Sequence, residues 1–280
     1  MIRITSDSTC DLGELVAKRD IGILSLQVNL GANAYRDGVD ITPEEIFAYV
    51  AENNELPKTS APSIGDYEDF FKAQLALGEE VVHINISSKS SGSHNFAKQA
   101  AESFEGKVHV VDSMALSSGQ GLLVLKAADL RDAGKSAKEI VEELEALRMR
   151  VNTSFVPDTL DYLHKGGRVS GMVKTVAAMF KIHPLIYMDN GQLVPGKKYK
   201  GKMSFLIKQY VADLKEQYPD YDKSRCFVTH SSAEPDLVDA AKAAVAENFD
   251  FDEVIETVAG SIITSHCGKG TLGVLFVYNN

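Results

Sequence analysis

Tryptophan is absent, proline is scarce at eight residues, and cysteine is limited to Cys10, Cys226 and Cys267. Three widely spaced cysteines with no C-x-x-C make neither a disulfide framework nor a zinc site. They fit a reducing, cytoplasmic compartment. Basic residues are outnumbered, 29 against 39 acidic ones, for a net charge of −10. A nucleic-acid binder driven by phosphate contacts carries a basic footprint, so this balance argues against such a partner. The N-terminal MIRITSDST has no apolar core of the signal-peptide kind. Long hydrophobic runs are missing too: TVAAMF, among the longest, lies beside Lys174 and Lys181, far short of the ~18–20 residues of a membrane span. The chain reads as soluble. What is present is an ordinary globular mixture, 44% hydrophobic and 24% charged, which excludes collagen-like, disordered and low-complexity chains. A chain of 280 residues is long enough for two domains or one large one.

The first half alternates strand-like and helix-like segments. Strands are expected at 2–8, 22–30, 80–87 and 107–113. Helices are expected from the Thr42-Pro43-Glu44-Glu45 and Ser136-Ala137-Lys138-Glu139 capping boxes, after Pro62-Ser63, over 93–104, and after 115. Strands separated by helices imply a parallel, doubly wound sheet with helices on both faces, a three-layer α/β/α unit. Three strands run into polar turns: SDST at 6–9, SSKSSGS at 87–93 and DSMALSSGQG at 112–121. Ligands collect at the carboxyl ends of strands in open α/β sheets, so this rim is the place to look for a site. The second half reads as an α+β layer with a mixed sheet. It has a hairpin at 184–199 turning at Asp189-Asn190-Gly191, helices at 203–217 and 235–248, and strands near 225–232, 253–258 and the C-terminus. The division is set at 1–151 and 152–280.

Several enzyme signatures fail on context. Gly268-Lys269-Gly270-Thr271-Leu272-Gly273 matches G-x-G-x-x-G, but a strand follows it where a dinucleotide site needs a helix. A glycine-rich turn that lets backbone amides approach an anion is the better reading. Residues 191–198 resemble a Walker loop but end on Lys198 in a hairpin. No metal-ligand spacing occurs. His83 and His109 fall within strands and read as filling, whereas His266 lies in the polar glycine-rich SHCGKG segment, read as a loop. Hydroxyls concentrate at 58–63 and 87–93. They serve either as helix N-caps, through Ser63 and Ser91 or Ser93, or as donors to a small anion such as a carboxylate. A Ser–His–Asp hydrolase built from Ser91, His266 and Asp7 or Asp112 is an alternative, without a G-x-S-x-G elbow behind it. Residues 165–202 hold Lys165, Arg168, Lys174, Lys181, Lys197, Lys198, Lys200 and Lys202 against one acid, Asp189. That asymmetry suggests docking of an acidic partner, a phosphate or an anionic membrane.

Six segments taken in order, SDSTCDL at 6–12, PKTSAPS at 57–63, ISSKSSGS at 86–93, VVDSMALSSGQG at 110–121, LDYLHKGGRVS at 160–170 and SHCGKGTLG at 265–273, resemble the DegV family. Its members include the fatty-acid-binding subunits of bacterial fatty acid kinase. The resemblance implies a two-domain α/β protein holding a long-chain fatty acid between its domains. A separate ATP-dependent kinase would phosphorylate the carboxylate, so this chain would have no turnover, metal or cofactor of its own. By the same resemblance Thr59 and Ser91 are the carboxylate ligands, Ser60 and His266 support them, and Arg168 contacts the kinase or the phosphate. Ser90, His94, Cys267 and Lys269 depart from the family pattern beside the head group, which leaves a regulatory module for another small anion as a further alternative. Residues 172–180 and 185–187 are the expected tunnel walls.

Overall fold

A computed structural model describes residues 1–169 and 182–279. In chain order the elements are β1 (Ile2–Asp7), α1 (Leu15–Lys18), β2 (Ile21–Leu24), β3 (Gln27–Leu30), β4 (Asn33–Arg36), α2 (Pro43–Asn53), β5 (Lys58–Ser60) and α3 (Ile64–Leu75). They continue with β6 (Glu80–Asn85), α4 (Ser93–Ala101), β7 (Val108–Asp112), α5 (Ser117–Asp132), α6 (Ala137–Leu147), β8 (Val151–Asn152), β9 (Ser154–Val156) and α7 (Asp161–Gly166). The rest are β10 (Ile182–Asp189), β11 (Gln192–Lys200), α8 (Met203–Gln217), β12 (Tyr221–His230), α9 (Pro235–Asn248), β13 (Val254–Val258), α10 (Ser261–Cys267) and β14 (Leu272–Tyr278).

The fold is α/β, with a parallel sheet followed by a mixed one. The parallel sheet has the order β2-β1-β6-β7. Its alternate side chains go to opposite faces. Ile4, Val82, Ile84 and Val111 meet α5 and α6, while Val81 and Val108 meet Tyr67 and Phe71 of α3 and the alanines of α4. The mixed sheet runs β11-β10-β9-β14-β12-β13, with β8 also on β14. Its outer face packs on α8 and α9 through Val156, Val228 and Val274. Its inner face turns Phe227, Leu275 and Val277 into the same cluster as Ile4 and Leu123.

Helix α5 is therefore wedged between the two sheets, and eleven of its sixteen residues are buried. Its small residues make this possible. A Cβ on Gly119 would lie 2.1 Å from Thr153 Oγ1, and one on Gly121 would lie 2.7 Å from the Cys10 carbonyl. The expected capping boxes at Thr42–Glu45 and Ser136–Glu139 both form, and Ser63–Asp66 adds a third. The hairpin turns through Asn190 and Gly191, both at positive φ (48° and 80°), as a two-residue primed turn requires.

Three expectations need correction. Residues 22–30 are not one strand: the chain breaks at Ser25–Leu26, and β3 joins β4 and β5 in a small antiparallel sheet. Residues 261–267 form α10 rather than a loop, so His266 sits in a helical turn. Residues 185–187 do not border the main cavity: Ile186 is fully buried, and Leu185 packs toward α8. The expected wall at 172–180, with Lys174 and Lys181, lies outside the described residues. Among the described residues no helix is long and apolar enough to cross a membrane.

Candidate ligand-binding site

The small sheet exists to this site as a shelf. In β5 the side chains alternate, so Lys58 and Ser60 are exposed while Thr59 turns inward. Its Oγ1 lies 2.9 Å from Nε2 of His266, in the last turn of α10. Ser60 sits at the rim, where Asn29 Nδ2 donates to its hydroxyl at 3.4 Å.

The loop after β6 is held from several sides. Ser88 N–H donates to Asp112 Oδ1, Ser90 and Ser91 N–H to the Ser87 carbonyl, and Ser87 Oγ to the Gly191 carbonyl at 2.7 Å. The last of these ties the loop to the hairpin turn of the mixed sheet. Ser91 Oγ accepts from Ser93 N–H at 3.2 Å and shares a 2.8 Å hydrogen bond with Ser93 Oγ. Ser93 in turn bonds to Tyr67, Tyr67 to Asn85, and Asn85 to Asp7. The N-cap of α4 is Gly92, without a capping side chain, so Ser91 and Ser93 are not its N-caps; Ser91, one residue earlier, accepts from Ser93 N–H and is oriented by a buried polar chain.

Thr59, Ser60, Ser91, His266 and Arg168 all border one cavity of about 540 Å³, within the usual range for a small-molecule site. Its apolar walls include Ile86, Leu116, Phe155, Leu163, Leu193 and Leu275, drawn from the loops after β6 and β7, from strands β9, β11 and β14 of the mixed sheet and from α7. Hydroxyls and an imidazole thus adjoin a hydrocarbon-lined space between the two halves of the chain. Lys89, Asn95 and Phe96 also border the cavity, and sequence reasoning missed them. Of the residues that depart from the family pattern, Ser90 and Cys267 border the cavity and His94 and Lys269 do not. Burial pushes the Cys267 thiol up to about 12, so it is not a nucleophile at neutral pH.

The hydrolase geometry is not assembled. No hydrogen bond joins Ser91 to His266: the imidazole Nε2 is taken by Thr59, and Nδ1 has no partner among the described residues. A triad needs a carboxylate on that second nitrogen. Asp7 instead accepts from Thr9, Gln120, Asn85 and Ile86 N–H, and Asp112 from Ser88 and Met114 N–H. The glycine-rich turn at 268–270 follows α10 and precedes β14, the reverse of a dinucleotide site. Against His266 Nδ1 stands Gly166, where a Cβ would come within 2.9 Å.

Burial, and then the charge of Arg168, lowers the His266 imidazole to about 4, so it is neutral at pH 7. Between pH 4 and 6.5 the folded chain binds fewer protons here than the unfolded chain. Stability from this group is therefore complete above pH 6.5 and lost as pH falls toward 4, by up to about 3 kcal/mol. The unfolding free energies of wild type and His266→Asn should accordingly converge between pH 7 and 4.5. A pH-independent difference between them would contradict the burial of a neutral ring.

An α/β protein with two main sheets, and with a cavity lined from both halves of the chain by hydroxyls, imidazole and apolar side chains, is the class these features define. The DegV family model matches residues 1–279, and the chain belongs to the DegV family. A DegV domain-containing protein of Listeria innocua is 34% identical over 277 residues, covering 98% of each chain. The solved structure of a fatty-acid-binding DegV family protein from Thermus thermophilus is similar with a TM-score of 0.92 at 30% identity, over 99% of each chain. A stearic-acid-binding protein from Eubacterium ventriosum is similar at 0.84 and 28% identity, over 99% of this chain and 98% of its own.

Proposed function

We propose that this chain binds one long-chain fatty acid between the units 1–151 and 152–280 and presents its carboxylate to a separate ATP-dependent fatty acid kinase. The observation that carries the reading is the cavity of about 540 Å³, with Thr59, Ser91 and His266 beside leucine, isoleucine and phenylalanine side chains. The fatty-acid binding of the Thermus and Eubacterium proteins supports it. In this reading Thr59 and Ser91 hold the carboxylate, and Ser60 and His266 support them. A carboxylate accepts charge-assisted hydrogen bonds, stronger than those between neutral groups. Held by neutral donors, it keeps an oxygen free as a phosphoryl acceptor. ATP and magnesium belong to the kinase, and this chain acts as a carrier with no turnover, metal or cofactor. A cytoplasmic place fits three thiols that are all free and buried.

Solvent extraction of the purified protein followed by mass spectrometry tests the reading. A near-stoichiometric long-chain fatty acid is expected. An empty extract, with no uptake of added fatty acid, would move the weight to another small anion.

Arg168 is exposed at the cavity edge, with Nη1 bonded only to the Gly166 carbonyl at 2.7 Å among the described residues. In this reading it meets a kinase or a phosphate. Lys198, Lys200 and Lys202 extend positive charge along β11 and beyond, where a kinase or an anionic membrane can dock transiently. Arg168→Glu is expected to leave fatty-acid affinity within about threefold while cutting kinase-dependent phosphorylation at least tenfold, an order typical of lost charge-assisted contacts. Phosphorylation at the wild-type rate would remove Arg168 from the docking surface.

A further inference from the structure

Helix α10 places His266, yet it has only seven residues and no capping side chain of its own, since its N-cap is Gly260. So short a helix does not hold itself. Two carboxylates from distant segments grip its start. Asp11 Oδ1 accepts from Gly260 N–H at 2.9 Å, and Asp37 Oδ1 accepts from Ser261 N–H at 2.8 Å. Asp11 follows β1, and its other oxygen accepts from Ser117 Oγ at the head of α5. Asp37 follows β4, in the small sheet that also carries Thr59 on β5. One clamp thus refers α10 to α5, and the other refers it to the strand shelf across from His266.

The arrangement is costlier than helix capping requires. Both carboxylates are buried, 6% and 2% exposed, and neither has an ion-pair partner among the described residues. A Cβ on Gly260 would lie 3.0 Å from Asp11 Oδ1 and 3.2 Å from Asp37 Oδ1, so the two acids converge on one backbone position. Burial raises the proton affinity of both; the charge of Asp37 adds to this at Asp11, and that of Asp7 adds to it at both. A serine or asparagine at the N-cap would end the helix without that penalty. What a local cap would not do is fix the helix to two other elements. The far end carries the demand for accuracy: Nε2 must meet Thr59 beside the cavity, while Nδ1 is buried against Gly166 with no partner among the described residues.

We infer that Asp11 and Asp37 are positioning residues for the head-group site, locking the first turn of α10 so that its last turn delivers His266 to Thr59. The inference rests on the fatty-acid reading for its affinity measurement, and a second measurement is independent of ligand. Binding of hexadecanoate by calorimetry at pH 7.5 should weaken about tenfold in Asp37→Ala. Asp37→Asn, which keeps the accepting oxygen, should stay within threefold of wild type. Gly260→Ala serves as the mild variant should Asp37→Ala not fold. Its backbone (φ −66°, ψ 176°) admits any residue, yet the added methyl displaces both acids, and a severalfold loss is expected. In a His266→Ala background Asp37→Ala should change affinity less than twofold.

An equal Asp37→Ala penalty with and without His266, or no penalty at all, overturns the assignment. The ligand-free readout is the imidazole nitrogen NMR signal of His266. It should shift in Asp37→Ala as the Thr59 bond is lost and return in Asp37→Asn. A shift without hexadecanoate binding by wild type would retain the positioning role and reject the fatty-acid reading. An unshifted signal would reject the positioning role.

Discussion

Shortening the ligand from hexadecanoate to octanoate is expected to weaken binding by roughly four powers of ten. Eight methylenes at ~0.8 kcal/mol each come to about 6 kcal/mol if all are buried. The walls that would bury them include Phe155, Leu163 and Leu193. The cavity of about 540 Å³ also sets a limit. Affinity should rise along the homologous series and then level off or fall once the chain outgrows the space. Competition calorimetry with acids of even carbon number, kept below their micellar concentrations, measures both slopes. An affinity that ignores length between eight and sixteen carbons would mean that the hydrocarbon is not in this cavity.

The second large effect is expected at Thr59. Valine there keeps the shape and strand preference of threonine and removes only the hydroxyl. Thr59 is half-buried on β5, a strand paired with β3, so the fold should be undisturbed. The loss falls on the site: a hydrogen bond to the carboxylate disappears, and His266 is left with neither ring nitrogen engaged among the described residues. Hydrogen bonds to charged groups are worth about 1.5–3 kcal/mol, or roughly ten- to a hundredfold in affinity for the acid. The matching long-chain alcohol, with no carboxylate to hold, should lose far less. Equal losses for acid and alcohol would place Thr59 against the chain instead of the head group.

The local rules made much of this molecule legible. Thr-x-x-Glu spacing with Pro43 announced α2, Ser-x-x-Glu spacing announced α6, Asn190-Gly191 announced the hairpin, and β-branched runs announced β6 and β7. The polar turns after β1, β6 and β7 marked the rim where the hydroxyls collect, because strand ends in a parallel sheet all open on one side. Where the reading failed, a distant partner decided the local structure. The SHCGKG segment read as a loop, yet 261–267 is a helix whose first backbone N–H groups donate to Asp11 and Asp37 from distant segments. Residues 22–30 carry an unbroken apolar pattern, but Leu26 turns toward Ile46 of α2 and Ile262 of α10, and the strand breaks there.

The sequence by itself determined the strands and helices of the parallel half other than at 22–30, the small residues that let α5 lie between two sheets, and the identity of the hydroxyl and imidazole groups. These depend on spacing a few residues apart, where backbone geometry and capping act. Tertiary structure alone decided that Thr59 meets His266 across 207 residues and that Ile86, Phe155 and Leu193 enclose one space. It also decided that the apolar wall lies on β9 and β11 rather than at 185–187. The reason is physical: which face of a strand borders a cavity depends on what packs opposite it, and alternation along the strand fixes only that the two faces differ.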